Sequence, residues 1–528
     1  MTPPPDHGKA LYRPSRSWRL PGNLYVLLVS LLNTLLFNGA LFGFLHDKLD
    51  LTTLSGLAIA ASVFLVVFFF NLLVFSLLAL VAPFLLRPFL VITALVNAVA
   101  LHYMLSYQVV LDKAMIGNIF NTRTSEAAEL ISPSALVYLL ILGVIPAWLF
   151  LRLRIGEPRR WRTLLQLLVA IPLVFGFLYL NAASWLWVDR YSKLLGGKIL
   201  PWSYLINTAR YYADSKGDSR DFHPLPDGHF RDNEKSVVVL VIGETARAQN
   251  FSLYGYPRPT NPLLEKDDLL VLPDATACTT YTRGSLACML AHDPDATDDE
   301  PLPSYLTRMG AEVIWRTNNW GEPPIEVTAY EKRDELRAQC NGEGCGYDEV
   351  LLTGLAERIR ASTRKKMLIV LHTKGSHGPS YYARYPSGFD RFEPVCRDEE
   401  ISKCSRQALI NAYDNTIVYT DHFLHETIEL LKSVGDVPVV MMYLSDHGES
   451  LGENGLYLHG TPYMFAPDYQ KKIPFLVWMS DAFKRRRGID GAPPTDKTYY
   501  GHRNVFHTVL GALGLESPVY DPALDVLE

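Results

Sequence analysis

The chain has 528 residues, with 50 Lys and Arg against 55 Asp and Glu and a formal net charge of −5 at pH 7. That length suggests more than one domain, and the modest negative balance, with no basic stripe in the polar part, excludes a nucleic-acid partner. The apolar residues are concentrated in 24–180, which reads as membrane, while the remainder reads as soluble.

Taken in chain order, the stretches 24–45, 57–81, 89–110, 135–151 and 164–180 each approach the roughly 20 residues that a spanning helix needs. Lys9, Arg13, Arg16 and Arg19 precede the first stretch, Arg87 separates the second and third, and Arg152, Arg154, Arg159, Arg160 and Arg162 separate the fourth and fifth. The alternate loops hold only Lys48, Lys113 and Arg123. Because Lys and Arg near helix ends favour the cytoplasm, the N-terminus is expected inside and everything after about residue 181 outside it. The first stretch lacks a small-residue cleavage site and is expected to stay as an anchor.

In the loop after the third span, Asn118, Thr122 and Glu126 recur every four residues, so a helix would carry them on one face. The expected domains are a membrane part over 1–180, an aromatic then polar segment over 181–235, and one soluble domain over 236–528. Trp185, Trp187, Tyr191, Trp202, Tyr204, Tyr211 and Tyr212 suit an interfacial segment, and the polar run Asp214 to Asp232 suits a linker. Apolar runs at 237–242, 311–315, 367–371, 437–444 and 474–478 read as buried strands, alternating with helical patterns such as 349–363 and 408–432. That alternation predicts an α/β domain whose mostly parallel sheet has helices on both faces.

All six cysteines lie in the predicted external domain. They cluster as three close pairs, Cys278–Cys288, Cys340–Cys345 and Cys396–Cys404, which suits disulfides in an oxidising compartment. A zinc-binding cysteine set is the alternative, but its paired C-x-x-C spacing is absent.

The polar residues that carry chemistry follow strands. Gly243-Glu244-Thr245-Ala246-Arg247 follows one run, and Ser445-Asp446-His447-Gly448-Glu449-Ser450 follows another. Glu244, Asp446 and His447 together offer carboxylate and imidazole to one metal ion, a donor set that suits zinc, and an open fourth position would make it catalytic. The hydroxyl-rich loop Cys278–Cys288 could present a threonine to such a site, where coordination would activate a poor nucleophile. Singly, an Asp-His pair or a loop threonine is more often structural. Arg247 reads as a partner to the acidic ligand, and His372 as a hydrogen-bonded residue near the sheet.

These motifs, with His372-Thr-Lys-Gly-Ser-His377-Gly-Pro379 and Leu458-His459-Gly-Thr-Pro462, resemble those of bacterial phosphoethanolamine transferases, membrane members of the alkaline phosphatase and sulfatase superfamily that include the mobile colistin resistance enzymes. The resemblance spans nearly the whole chain and implies zinc, one ion with a second possible. It also implies phosphatidylethanolamine as donor and a threonine that carries phosphoethanolamine before transfer. By motif, Glu244, Asp446 and His447 would be zinc ligands and Thr282 the nucleophile and fourth ligand, with Thr280 its neighbour lining the phosphate. His377 and His459 would hold the phosphate or a second ion, either one able to protonate the leaving group. Asn118, Thr122 and Glu126 would contact the ethanolamine. A monomer in the bacterial inner membrane is expected, with its catalytic domain in the periplasm.

The chain departs from the lipid A branch at Tyr281 and Arg283, and at Trp320-Gly-Glu-Pro323, where a lysine is often found. Arg283 and Lys374 are more similar to the branch that modifies the Kdo sugar, so the acceptor stays open between lipid A and the inner core. A phosphoglycerol transferase or an anchored sulfatase of the same superfamily is the nearest rival. A non-catalytic lipid-binding protein is the rival from another class.

Overall fold

The computed structural model describes residues 20–122, 131–153, 160–181, 184–215, 222–398, 401–489 and 497–528. They form two compact units, Met1–Leu105 with Pro133–Tyr204, and Ser106–Ser132 with Leu205–Glu528.

In the first unit, Leu54–Val81, Pro83–Ser106, Pro133–Arg152 and Arg160–Leu180 are long and apolar enough to cross a membrane. A further crossing is available from Gly22–Phe37 and Gly39–Lys48, which meet at a bend of 59°. The bend falls at Asn38, whose side-chain Oδ1 accepts from the Leu200 N–H (3.0 Å) and whose Nδ2 donates to the Leu200 carbonyl (3.4 Å). Non-helical backbone in hydrocarbon has no water to turn to, so a buried carboxamide that satisfies both groups is worth a broken helix. Asn71 acts similarly, donating to Thr34 Oγ1 (2.9 Å) and accepting from Trp202 Nε1 (2.8 Å). Such bonds join helices where lipid removes the hydrophobic drive to associate. Ile92, Leu140, Leu168 and Leu173 are exposed, as lipid-facing side chains must be.

The second unit is built on a seven-stranded sheet: β1 (Ser236–Gly243), β2 (Leu269–Val271), β3 (Glu312–Thr317), β4 (Ala329–Lys332), β5 (Lys366–His372), β6 (Val439–Ser445) and β7 (Phe475–Met479). Its order is β2-β7-β6-β1-β5-β3-β4. β6, β1, β5, β3 and β4 run parallel, and β7 is antiparallel to both neighbours. The five strands expected from apolar runs form within two residues of their predicted bounds. The short edge strands β2 and β4 are only partly buried, and an apolar run gives no sign of them. Pro438 ends up just before β6, where its carbonyl accepts from the Val237 N–H (3.0 Å) and no N–H of its own is required.

The expected long helix runs from Arg406 to Lys432, capped by Ser405 Oγ accepting from the Ala408 N–H. The pattern at 349–363 divides into a 3-10 turn, Asp348–Leu352, and a helix, Leu355–Ala361, because Gly354 adopts a left-handed φ of 61° between them. Disulfides join Cys278 to Cys288, Cys340 to Cys345 and Cys396 to Cys404.

Every residue of β1, β5 and β6 is buried, as a parallel sheet covered on both faces requires. Gly243 pairs with Ser445, and Ile242 with both Leu444 and His372, so the three central strands end level with one another. Leu240, fully buried at the middle of β1, is expected to cost about 2–5 kcal/mol when replaced by Ala. A lowered thermal unfolding midpoint of the purified Leu240→Ala protein, with the membrane helices retained, checks this.

Candidate active site

Because β1 and β6 are parallel neighbours in register, the residues that leave their carboxyl ends, Glu244 and Asp446, emerge side by side. One ligand atom from each of Glu244, Asp446 and His447 lies within 4.8 Å of the others, and all three residues are buried. The backbone holds Asp446 Oδ1 through the N–H groups of Thr245 (3.0 Å) and His447 (2.7 Å). Its Oδ2 is buried without a hydrogen-bond partner among the described residues. His447 donates Nδ1–H to the Gly448 carbonyl (2.9 Å), which leaves Nε2 a lone pair facing Glu244 Oε1 at 3.5 Å and Asp446 Oδ2 at 3.3 Å. Glu244 is aimed by Thr245 Oγ1 (2.6 Å to Oε1) and Asn319 Nδ2 (2.7 Å to Oε2).

Burial, reinforced by Asp446, pushes the Glu244 carboxyl up to about 7. Burial likewise raises Asp446 to about 6 and drives His447 down to about 3. Two crowded carboxylates, a neutral imidazole and an unmet carboxylate oxygen make a poor solvent for one another and a good one for a divalent cation. The residues fit a metal, and their mixed oxygen and nitrogen donors fit zinc.

Thr282 opens the helix Thr282–Leu290. Its Oγ1 lies 3.3 and 3.4 Å from the two Glu244 oxygens and 3.5 Å from His447 Nε2, which fills the fourth corner of the cluster. The Cys278–Cys288 disulfide closes the loop that carries it. His502 then ties that loop to the sheet: its Nδ1 accepts from the Cys278 N–H (3.2 Å) and its Nε2 donates to the Ser445 carbonyl (2.9 Å). Sequence reasoning misses His502, since nothing in Tyr499-Tyr500-Gly501-His502 marks it. Thr280 spends its hydroxyl proton on the Thr461 carbonyl (2.7 Å), and its own carbonyl accepts from the Gly460 N–H (2.8 Å). It therefore joins the Thr282 loop to the loop that bears His459.

The His459 ring centroid is 4.2 Å from that of His447 and 5.9 Å from that of His377. Burial disfavours the charged His459 ring, but the buried Glu449 carboxylate at 3.4 Å outweighs it and holds the imidazole up at about 8. Burial, with Lys374 and Arg384 nearby, pushes His377 well below its ordinary value. Arg247 is occupied by Asn250, the Glu449 carbonyl and Glu453, between the rings of Tyr413 and Tyr469. The guanidinium is thus engaged structurally, but with Glu453 rather than with the acidic ligand Glu244 that the sequence suggests. His372 is buried at the end of β5, with Nδ1 3.4 Å from Thr317 Oγ1 and 3.8 Å from Glu322 Oε2.

Asn118 lies in the helix Lys113–Asn121 of the same unit, whose Met115 methyl would come within 2.9 Å of a Cβ added to Gly460, beside His459. The shared helix face expected for Asn118, Thr122 and Glu126 is cut short, because the helix ends at Asn121. Thr122 turns extended (φ −62°, ψ 131°) and folds its hydroxyl back on the Asn118 carbonyl at 2.7 Å. Such a local side-chain bond competes with continued helix. Glu126 lies outside the described residues.

Asn319, Asp348 and Gly375 are further supports that the motifs alone did not reveal. Asp348 accepts from the N–H groups of Lys374 (2.7 Å) and Gly375 (2.9 Å) and from Asn318 Nδ2 (2.8 Å), which shapes the loop beneath Glu244. Gly375 has a φ of +50°, and a Cβ there would fall 2.7 Å from the Glu244 carbonyl oxygen. Gly375→Ala is expected to displace Glu244 and lower turnover at this site by about 10–100-fold with the fold intact, checked by an activity assay beside near-UV circular dichroism.

Residues 67–215 match the family described as phosphoethanolamine transferase EptA/EptB, and residues 236–515 match the sulfatase family. Phosphoethanolamine transferase EptA of Helicobacter pylori is 38% identical over 511 residues, covering 95% of this chain and 96% of that protein. The Kdo(2)-lipid A phosphoethanolamine 7''-transferase of Escherichia coli is 27% identical, covering 92% of each. Among solved structures, the integral membrane lipooligosaccharide phosphoethanolamine transferase A of Neisseria meningitidis superposes with a TM-score of 0.87 at 30% identity, covering 96% of this chain and 99% of that one.

Proposed function

The chain belongs to the phosphoethanolamine transferases of the alkaline phosphatase and sulfatase superfamily, and on that footing we propose that it moves phosphoethanolamine from phosphatidylethanolamine to lipid A by way of Thr282. The observation that carries this reading is the Thr282 hydroxyl, held 3.3–3.5 Å from Glu244 and His447 at the mouth of a buried site built for a cation. Glu244, Asp446, His447 and Thr282 would hold zinc, which when bound would lower the hydroxyl's pKa and offset charge on the phosphoryl oxygens. His377 and His459 are the residues available to a second ion or to the phosphate.

In the first half of the reaction Thr282 gives up its proton to solvent water and its Oγ1 bonds to the donor phosphorus. The bond from phosphorus to the diacylglycerol oxygen breaks, and His459, paired with Glu449, hands that oxygen a proton. N–H groups in the first turn of Thr282–Leu290 suit the phosphoryl oxygens. In the second half an acceptor oxygen bonds to phosphorus and Thr282 leaves with its hydroxyl restored. Asn118 and Thr122 follow Met115, which abuts Gly460 beside His459, and they would contact the ethanolamine of the donor.

The lower identity to the Kdo(2)-lipid A enzyme than to the Helicobacter pylori relative weighs against the Kdo sugar as the acceptor, which leaves lipid A. Three disulfides and the arginine-rich loops support a catalytic unit on the periplasmic side of a bacterial inner membrane. Glu244, Asp446, His447 and Thr282 come from a single chain, and a monomer would suffice for the transfer. An added amine on lipid A weakens the electrostatic hold of cationic peptides such as polymyxins.

The test is mass spectrometry of lipid A and core released separately from cells that make the protein, with the Thr282 peptide analysed in parallel. Phosphoethanolamine is expected on lipid A and on Thr282, and Thr282→Ala is expected to lose both. Modification confined to the core would refute the acceptor, and full transfer by Thr282→Ala would refute the nucleophile.

A further inference from the structure

Among the described residues after Ser215, large apolar side chains are exposed at one place only, the consecutive residues Tyr463 (43% exposed) and Met464 (75%). They form the tip of the loop Pro462-Tyr463-Met464-Phe465-Ala466-Pro467, an uninterrupted apolar and aromatic run that follows His459. Loops ordinarily meet water, and an apolar tip on an otherwise polar surface marks a place that something covers. Neither half of the reaction proposed above uses it.

The loop is built as a stiff hook. Pro462 and Pro467 have no N–H to satisfy, and the N–H groups of Phe465 (2.8 Å) and Ala466 (3.0 Å) both turn back to the Pro462 carbonyl. Few backbone donors are therefore left to lose water when the tip enters a less polar layer. On its inner side the loop is tied down. Tyr463 donates its hydroxyl to the Ala277 carbonyl (3.0 Å), the Thr461 N–H donates to Gln470 Oε1 (3.1 Å), and the Lys471 ammonium lies 5.3 Å from the centre of the Tyr463 ring. A tyrosine ring, a thioether and a neighbouring ammonium match the glycerol and phosphate level of a phospholipid layer.

The surroundings of the loop point to lipid. Met115 of the helix Lys113–Asn121 would come within 2.9 Å of a Cβ on Gly460, at the foot of the loop. That helix exposes Ile119 and Phe120, and residues 107–112 alone join it to Pro83–Ser106, which is long and apolar enough to cross a membrane. So short a connection reaches at most roughly 20 Å, and the chain thereby holds this helix, with the loop against it, close to the lipid surface.

We propose that the Tyr463–Met464 tip is seated in the glycerol and upper acyl level of the lipid layer, a contact of the catalytic unit with the bilayer separate from the spanning helices. The seating rests on the membrane reading of the apolar helices and not on the Thr282 reaction. Its use to that reaction is positional. Tyr463 bonds to Ala277 and Thr280 to Thr461, which joins this loop to the loop of Thr282, so the depth of the tip sets the height of the hydroxyl relative to the phospholipid headgroups.

All six cysteines are paired, so Met464→Cys gives the full-length protein a single thiol for a polarity-sensitive fluorophore. Asn233→Cys, exposed just before β1 at the end of the sheet away from Glu244, is the reference. In vesicles of phosphatidylethanolamine and phosphatidylglycerol the Met464 label is expected about 5–10 Å below the surface. Its emission is then blue-shifted, quenched by lipids brominated near the top of the acyl chain, and at least about threefold less open to aqueous iodide than that of the Asn233 label. Equal quenching of both labels by iodide, with none by brominated lipid, would overturn the proposal. So would a Met464 label shielded from iodide and lipid alike, since another protein, a second copy of this chain included, would then cover the tip. Neither result bears on the Thr282 assignment, which mass spectrometry of the Thr282 peptide decides.

Discussion

Everything at the site depends on the pairing of two parallel strands. β1 and β6 run side by side in register, so Glu244 and Asp446 leave the sheet together and are driven into one buried place. Two carboxylates there are costly, and burial raises both, Glu244 to about 7 and Asp446 to about 6. A fold keeps such a pair where something positive compensates it, and the neutral Nε2 of His447 completes a donor set for a cation.

The loops around this pair are tied to it by backbone as much as by side chains. His502 links the disulfide loop of Thr282 to the end of β6, and Thr280 links the same loop to that of His459. Asp348 and Gly375 set the floor beneath Glu244. Thr245 and Leu458, each beside a site residue, adopt left-handed φ angles of 62° and 60°, which non-glycine residues take only where the surroundings hold them. The hydroxyl, the carboxylates and the imidazoles are thus fixed before any lipid arrives, which is what a positioned phosphoryl transfer requires.

Much of this was legible in the residue order. Continuous apolar runs mark β1, β3, β5, β6 and β7 because strands buried on both faces tolerate little else. Polar residues at the ends of such runs stand out for the same reason, and Glu244, Asp446 and His447 stand at such ends. β2 and β4 escaped because short, half-exposed edge strands carry no such run. The helix at Asn118 was overextended because spacing alone cannot see Thr122 bonding back to its own backbone. His502, Asp348 and Asn319 went unremarked since their partners are distant in sequence, with His502 reaching Cys278 across 224 positions.

The central claim is that Glu244, Asp446 and His447 form one cation site onto which the Thr282 hydroxyl is aimed. Crystals of the zinc-loaded protein, measured above and below the zinc absorption edge, test it most directly. The account predicts an anomalous peak among Glu244, Asp446, His447 and Thr282, lost in Asp446→Asn. A peak confined to His377 and His459, or none in crystals that retain activity, would contradict it.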